Sequence, residues 1–149
     1  VELGAPAEHI TMADHTMTLP TPELYPQRDF SGQHFVRHVA TKARWAPWRM
    51  DGFEMRDTGI GAATAGLAGV RVLRPIAGHT GTDRQQHGTA FCFYFVLSGQ
   101  LTVEIDGKPL ALASDDRITV TDTTAYRFSA ASADLELLEV TLPALVERR

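Results

Sequence analysis

Short apolar runs separated by turn residues constrain this chain more than any other feature of its sequence. In residues 101–105, apolar side chains alternate with Thr102 and Glu104, which is the period-two pattern of a strand buried on one side. Asp106-Gly107 follows, and both residues tolerate the positive φ angles of a type I′ hairpin turn. Similar runs recur about every 8–12 residues, and none before Ala144 has a convincing helical period. The pattern predicts an all-β fold, an antiparallel sandwich or barrel.

Turn residues and prolines divide the chain into an arm and one domain. Residues 1–31 contain four prolines and few patterned apolar positions, so we expect an extended N-terminal arm. We expect Met12 to be the natural first residue and leave the residues before it out of the fold argument. Residues 32–149 are enough for a single barrel. The other predicted strands within it are residues 34–40, 53–58, 69–74, 91–97, 110–112, 118–120, 126–128 and 135–142.

Charge and composition exclude several classes of partner. The formal net charge is −4, which does not favour nucleic acid or an anionic membrane as a partner. No apolar run approaches the roughly 18–20 residues of a membrane span, and the N-terminus lacks the order of a signal peptide. We therefore expect a cytoplasmic protein. Cys92 is the single cysteine, which excludes an intrachain disulfide and a multi-cysteine zinc site.

Three sequence features resemble functional motifs but have simpler interpretations. Gly59-Ile-Gly61 begins like a dinucleotide-binding loop, yet it lacks the third glycine, and we interpret it as a connection between strands. His34 and His38 share a strand face by parity, and we interpret them as surface or interface histidines. Residues 37–49 mix basic and tryptophan side chains. In an acidic chain we expect this segment to be a solvated edge with buried indole rings.

The C-terminal part of the chain resembles the conserved barrel of the cupin superfamily. The resemblance is carried by residues 95–107, 116–120, 126–128 and 134–140, and residues 54–60 resemble a run found before the barrel in small bacterial cupins. It implies a double-stranded β-helix, also called a jelly-roll barrel, that is usually a dimer. It also implies one small-molecule pocket inside the barrel.

The same resemblance implies a degenerate metal site. Cupins usually bind a metal through a His-x-His pair, a Glu and a further His. In this chain those four positions fall on Gln85, His87, Cys92 and Tyr126, so only His87 is a usual ligand. We therefore expect no metal cofactor. The alternative is one divalent transition metal (Zn, Fe, Ni or Mn) held by these four residues.

Strand parity suggests which side chains line the pocket. Gln85 and His87 lie two apart and face the same way on a strand, as do Cys92, Tyr94 and Val96. Phe91, Phe93 and Phe95 then face outward, toward a second sheet or a second subunit. In cupins the residues at these strand positions point into the barrel. If the same holds here, the predicted ligand-binding residues are Gln85, His87, Cys92, Tyr94, Tyr126 and Phe128. His87 is the best candidate for a catalytic acid or base because an imidazole titrates near neutral pH.

Two classes of function follow from these residues. The first is a small-molecule-binding cupin of bacterial metabolism whose pocket has lost most of the usual metal ligands. The alternative is a metal-dependent cupin enzyme, such as a dioxygenase, isomerase or polyketide cyclase-like protein. A third class is a structural module that only forms dimers, and we expect this class if aromatic side chains fill the barrel. The apolar strand at residues 91–97 and the proline-rich arm predict a homodimer.

Overall fold

Residues 32–146 are described by a computed structural model of the protein, and within them the chain is built almost entirely of antiparallel strands. The all-β prediction is therefore confirmed. The strands are β1 (Ala46–Pro47), β2 (Phe53–Asp57), β3 (Gly69–Pro75), β4 (Phe91–Ser98), β5 (Gln100–Ile105), β6 (Lys108–Ala113), β7 (Arg117–Val120), β8 (Tyr126–Ala131) and β9 (Glu136–Leu142). The predicted N-terminal arm, residues 1–31, lies outside the described residues.

Two sheets enclose one hydrophobic core. The larger sheet has the strand order β1-β2-β3-β9-β4-β7, and the smaller sheet has the order β6-β5-β8. The core between them combines Leu73, Tyr94 and Leu137 of the larger sheet with Val103 and Phe128 of the smaller one. Strands distant in sequence are neighbours, since β9 pairs with both β3 and β4. This crossing brings side chains from both ends of the domain into the same interior.

The predicted faces of β4 and the predicted hairpin are confirmed. Cys92, Tyr94 and Val96 are buried, whereas the intervening phenylalanines are partly exposed on the other face. Asp106 and Gly107 have φ angles of 48° and 77°, and β5 pairs with β6 directly across them. Both predictions are correct because they depend only on neighbouring residues. The alternation of side chains follows from the pleat of a strand, and the turn residues permit the backbone angles that the hairpin requires.

The prediction of a strand at residues 34–40 is wrong. Residues 33–39 belong to no strand, and a short 3₁₀ helix follows at Ala40–Lys42. Most side chains of this segment are exposed, and Phe35 is 94% exposed. Alternation alone does not make a strand when no neighbouring strand accepts its hydrogen bonds.

The two longest connections between the described strands are residues 58–68, after β2, and residues 76–90, after β3, which contain Gln85 and His87. The link after β2 contains one helical turn, α1 (Ile60–Ala63), which starts at the left-handed residue Gly59. Among the described residues, no helix is long and apolar enough to cross a bilayer.

Candidate functional site

The predicted pocket residues come together at one place in the barrel. Cys92 and Tyr94 lie on β4, and Tyr126 and Phe128 lie on β8; all four side chains belong to the core. Gln85 forms an isolated antiparallel bridge to Tyr126, with two backbone hydrogen bonds of 2.9 Å. His87 is buried, and its ring lies 6.1 Å from that of Tyr126. The role of these residues in binding a ligand stays a prediction.

A buried carboxylate on β9 organises this interior. Glu139 is fully buried, and its register places it between Arg71 of β3 and Tyr94 of β4. Tyr94 donates a hydrogen bond of 3.2 Å to Glu139, and Trp48 donates one of 3.3 Å from its indole nitrogen. Arg71 approaches to 3.5 Å, and Arg49 forms an ion pair with the same carboxylate. Four donors therefore compensate the desolvation of this charge.

Arg49 is the second charged group inside the barrel. Its side chain is 15% exposed, and its Nη2 atom donates a hydrogen bond of 2.8 Å to the hydroxyl of Tyr94. Its guanidinium carbon lies 4.3 Å from the ring centre of Trp48, a cation–π contact. Although burial alone would lower the pKa of Arg49, the interactions with Tyr94 and Glu139 raise it. The side chain is therefore a permanent cation.

Two tyrosine hydroxyls extend the network. The hydroxyl oxygens of Tyr94 and Tyr126 lie 2.8 Å apart. Because Tyr94 donates its single proton to Glu139, Tyr126 is the donor in this pair. Burial raises the pKa of Tyr126 to about 12. Burial, together with the nearby Tyr126 and Glu139, also raises the pKa of Tyr94 well above its usual value. Both phenols are neutral hydrogen-bond donors near neutral pH.

The thiol of Cys92 is neutral for the same reason. Burial raises its pKa to about 11, and the nearby Glu139 acts in the same direction. A reactive cysteine needs its thiolate. The structure therefore favours an unreactive thiol at this position.

Both ring nitrogens of His87 are occupied. The backbone N–H of Thr89 donates to Nδ1 at 3.3 Å, and the Thr89 hydroxyl lies 2.6 Å from the same atom. Because Nδ1 accepts, the proton is assigned to Nε2, which donates to the carbonyl of Val120 at 3.1 Å. Burial lowers the pKa of His87. In this arrangement the ring connects residues 87–89 to β7 and offers no free nitrogen to a ligand.

The four residues at the metal positions do not fit a metal in this geometry. His87 would have to break a hydrogen bond to the backbone or to Thr89 before it could coordinate. The hydroxyl of Tyr126 is engaged by Tyr94, and Gln85 could offer only a neutral amide oxygen, which is a weak ligand for a transition metal. Within residues 32–146, no group of three or more His, Cys, Asp or Glu side chains could hold a metal ion. These four residues therefore do not form a metal site in this arrangement.

Aromatic rings fill much of the space around this network. Trp48 stacks on Phe128 with ring centres 5.8 Å apart, and Phe53 packs edge-on against both. Tyr94 packs edge-on against Phe128 at 5.4 Å. Four buried side-chain nitrogen atoms lack a hydrogen-bond partner among the described residues, and two of them belong to this site: Nε of Arg49 and Nε2 of Gln85. The other two are Nε2 of His38 and Nε of Arg56.

Sequence reasoning missed the charged members of this site. Glu139 had a detectable signal, because Leu137, Glu139 and Thr141 share the inward parity of β9. Arg49 had none, since it precedes β2 in a segment without period. The interpretation of residues 37–49 as a solvated edge is right for the buried ring of Trp48 and wrong for Arg49.

Comparison with known proteins identifies the fold. No family model matches the sequence, and no curated protein matches it. Many solved structures are similar, and three of them illustrate the likeness. The polyketide cyclase RemF from Streptomyces resistomycificus has 14% identity and a TM-score of 0.63, over 77% of this chain and 82% of that one. Pac13 from Streptomyces, a nucleoside dehydratase, has 17% identity and a TM-score of 0.58, over 78% and 92%. KdgF from Halomonas sp. has 17% identity and a TM-score of 0.59, over 71% and 93%. Likenesses at this level of identity establish the fold, and the described chain has the β-barrel fold of the cupin proteins, as the sequence resemblance implies.

Proposed function

We propose that this protein binds a small molecule at the polar end of the barrel interior, through hydrogen bonds and without a metal. One observation carries the proposal: the buried atoms Nε of Arg49 and Nε2 of Gln85 have no partner among the described residues. An unpaired buried donor costs about 1–3 kcal/mol, and native proteins keep few of them. A bound ligand would supply the missing acceptors.

Both donors belong to residues attached to the tyrosine pair. Arg49 bonds to Tyr94, and Gln85 pairs through its backbone with Tyr126. Neither residue is fully buried, since the side chain of Arg49 is 15% exposed and Gln85 is half-buried. We propose that a ligand approaches beside these two residues, because the centre of the barrel is packed with aromatic rings.

The chemistry of the site indicates what such a ligand carries. Its polar part has acceptor atoms, such as a carbonyl or carboxylate oxygen, because both unpaired atoms are donors. Its apolar part would contact aromatic side chains. Two structural neighbours are described as a polyketide cyclase and a nucleoside dehydratase, and variants of the second were solved with uridine. These similarities support a small-molecule ligand without identifying it.

Thermal-shift measurements on protein treated with a chelator test the proposal. The probes are benzoate, 4-hydroxybenzoate, succinate and uridine. We expect at least one to raise the melting temperature of the wild type, and to raise it less in Gln85→Leu. Gln86→Leu is the matched control, because the amide of Gln86 donates instead to the carbonyl of Asp122 at 2.9 Å. A stabilisation equal in both variants, or one that requires an added metal, would contradict the proposal.

A structural module is the second candidate function. The packed aromatic cluster of Trp48, Phe53 and Phe128 favours it. If none of the four probes stabilises the wild type, this second candidate replaces the first.

A further inference from the structure

We infer that the guanidinium of Arg49 is a permanent cation inside this barrel and that it replaces the metal ion of other cupins. That metal would otherwise be bound at the positions of Gln85, His87, Cys92 and Tyr126. The inference follows from the misfit between those four residues and a metal. It is independent of the proposed function, because it concerns what the barrel contains before any ligand binds.

Three different groups surround the guanidinium. Glu139 supplies a buried carboxylate in an ion pair, and the hydroxyl of Tyr94 accepts a hydrogen bond of 2.8 Å. The indole of Trp48 lies against the planar group at 4.3 Å. A carboxylate, a hydroxyl and an aromatic face are the groups that recognise a guanidinium ligand. The site therefore binds its own arginine as it would bind a free guanidinium compound.

The same cation is connected to one of the metal positions by hydrogen bonds. Arg49 donates to the hydroxyl of Tyr94, which lies 2.8 Å from the hydroxyl of Tyr126. The guanidinium is therefore one hydroxyl away from a side chain that would have to coordinate a metal. A divalent ion held by Cys92 and Tyr126 would meet a permanent positive charge that has no means of losing its proton.

Glu139 does not leave room for a further cation. Its carboxylate accepts hydrogen bonds from Trp48 and Tyr94, and it is paired with both Arg49 and Arg71. Arg71 bonds to the second carboxylate oxygen, Oε2, and also donates to the carbonyl of Ala144 at 2.7 Å. Arg71 has a further partner in the exposed carboxylate of Asp57 at 3.8 Å. Both oxygens of Glu139 are therefore already bonded by guanidinium groups, and neither is free to coordinate a divalent metal.

Chemical rescue tests the inference directly. Arg49→Ala removes the guanidinium and leaves the carboxylate, hydroxyl and indole in place. We expect a lower melting temperature for this variant, and a rise when methylguanidinium chloride is added at low millimolar concentration. Sodium chloride at equal ionic strength is the reference, so that screening is subtracted.

Arg74→Ala is the matched control variant. Arg74 also pairs with a carboxylate, that of Glu54 at 2.6 Å, and lies 3.9 Å from the ring centre of Trp45, but its side chain is 43% exposed. We expect methylguanidinium to stabilise neither Arg74→Ala nor the wild type. An equal response of Arg49→Ala and Arg74→Ala would overturn the inference.

Metal uptake by the wild type gives a second readout that does not depend on the folding of a variant. The protein is incubated with zinc, nickel or manganese, desalted, and analysed for bound metal. We expect far less than one equivalent to remain. A retained equivalent that is lost in Cys92→Ser would overturn the inference, even if Arg49→Ala does not fold.

Discussion

Cys92 illustrates how burial determines the chemistry of a single residue. It occupies a position where the sequence resemblance implies a metal-binding carboxylate, yet its thiol is fully buried beside Tyr94 and Arg49. Burial raises its pKa to about 11, so the folded protein holds the proton more tightly than the unfolded chain does. The thiol therefore links stability to alkaline pH.

We predict that the wild type loses stability between pH 9 and 11. Below pH 9 the thiol is protonated in both states, and its contribution is complete. As the pH rises above 9, the unfolded chain loses this proton first, and each pH unit lowers the free energy of unfolding by at most about 1.4 kcal/mol. Urea denaturation across this range should give a shallower decline for Cys92→Ala than for the wild type. Parallel curves would show that Cys92 does not cause the decline.

Some residues of the site could be predicted from the alternation of side chains along a strand, and others could not. The inward positions of Cys92, Tyr94 and Phe128 follow from this alternation together with the sequence resemblance to cupins. Arg49 could not be predicted, because it lies in an irregular segment between β1 and β2. Its position depends on Glu139, which lies ninety residues further along the chain.

At the scale of elements, β9 connects the parts of the site. It pairs with β3 on one side and β4 on the other, so Glu139 faces Arg71 and Tyr94 across two ladders. The segment before β2 is attached to the same carboxylate through Trp48 and Arg49. One side chain therefore links four parts of the fold.

We predict that Glu139→Gln is strongly destabilising. It leaves the largely buried Arg49 without its carboxylate and Arg71 with only the exposed Asp57 at 3.8 Å. Breaking a buried ion pair in this way costs about 3–5 kcal/mol. Glu104→Gln is the control, because its pair with Arg127 is 2.6 Å long but partly exposed. Such a surface pair contributes about 0–1 kcal/mol. Urea denaturation of both variants measures the difference, and similar losses would contradict an organising role for Glu139.

Local signals explain which elements were predictable. The hairpin at Asp106-Gly107 was predicted correctly because two adjacent residues specify its turn. The strand predicted at residues 34–40 failed because pairing depends on a neighbour that the segment itself does not specify. The cross-strand pairing of β9 with β3 and β4 is likewise non-local, and neither alternation nor turn residues indicate it.

At the scale of the whole molecule, the outer face of the larger sheet carries an apolar patch where β4 pairs with β9. Phe91 and Phe93 stack with ring centres 6.2 Å apart, and both are partly exposed. The register of β4 and β9 places Val140 and Leu138 beside Phe93 and Phe95 on this face. We propose that two copies of the chain pack through it, since an apolar face of this kind is typical of a homodimer interface.

Phe93→Lys tests this homodimer. We expect solution scattering to give twice the chain mass for the wild type and the single-chain mass for Phe93→Lys, because the lysine would place a charge in the interface. Leu110→Lys is the control, since Leu110 is 44% exposed on the smaller sheet. A wild type that is monomeric at working concentration, or a dimer that Phe93→Lys leaves intact, would refute the proposed interface.

A crystal structure of protein purified without a metal-affinity step tests most directly whether the barrel contains an arginine in place of a metal. We expect planar density for the guanidinium of Arg49, in contact with Glu139 and Tyr94, and a ring of His87 bonded to Val120 and Thr89. An anomalous peak within about 2.3 Å of Cys92 Sγ or about 2.1 Å of His87 Nε2, the distances typical of zinc ligands, would contradict this.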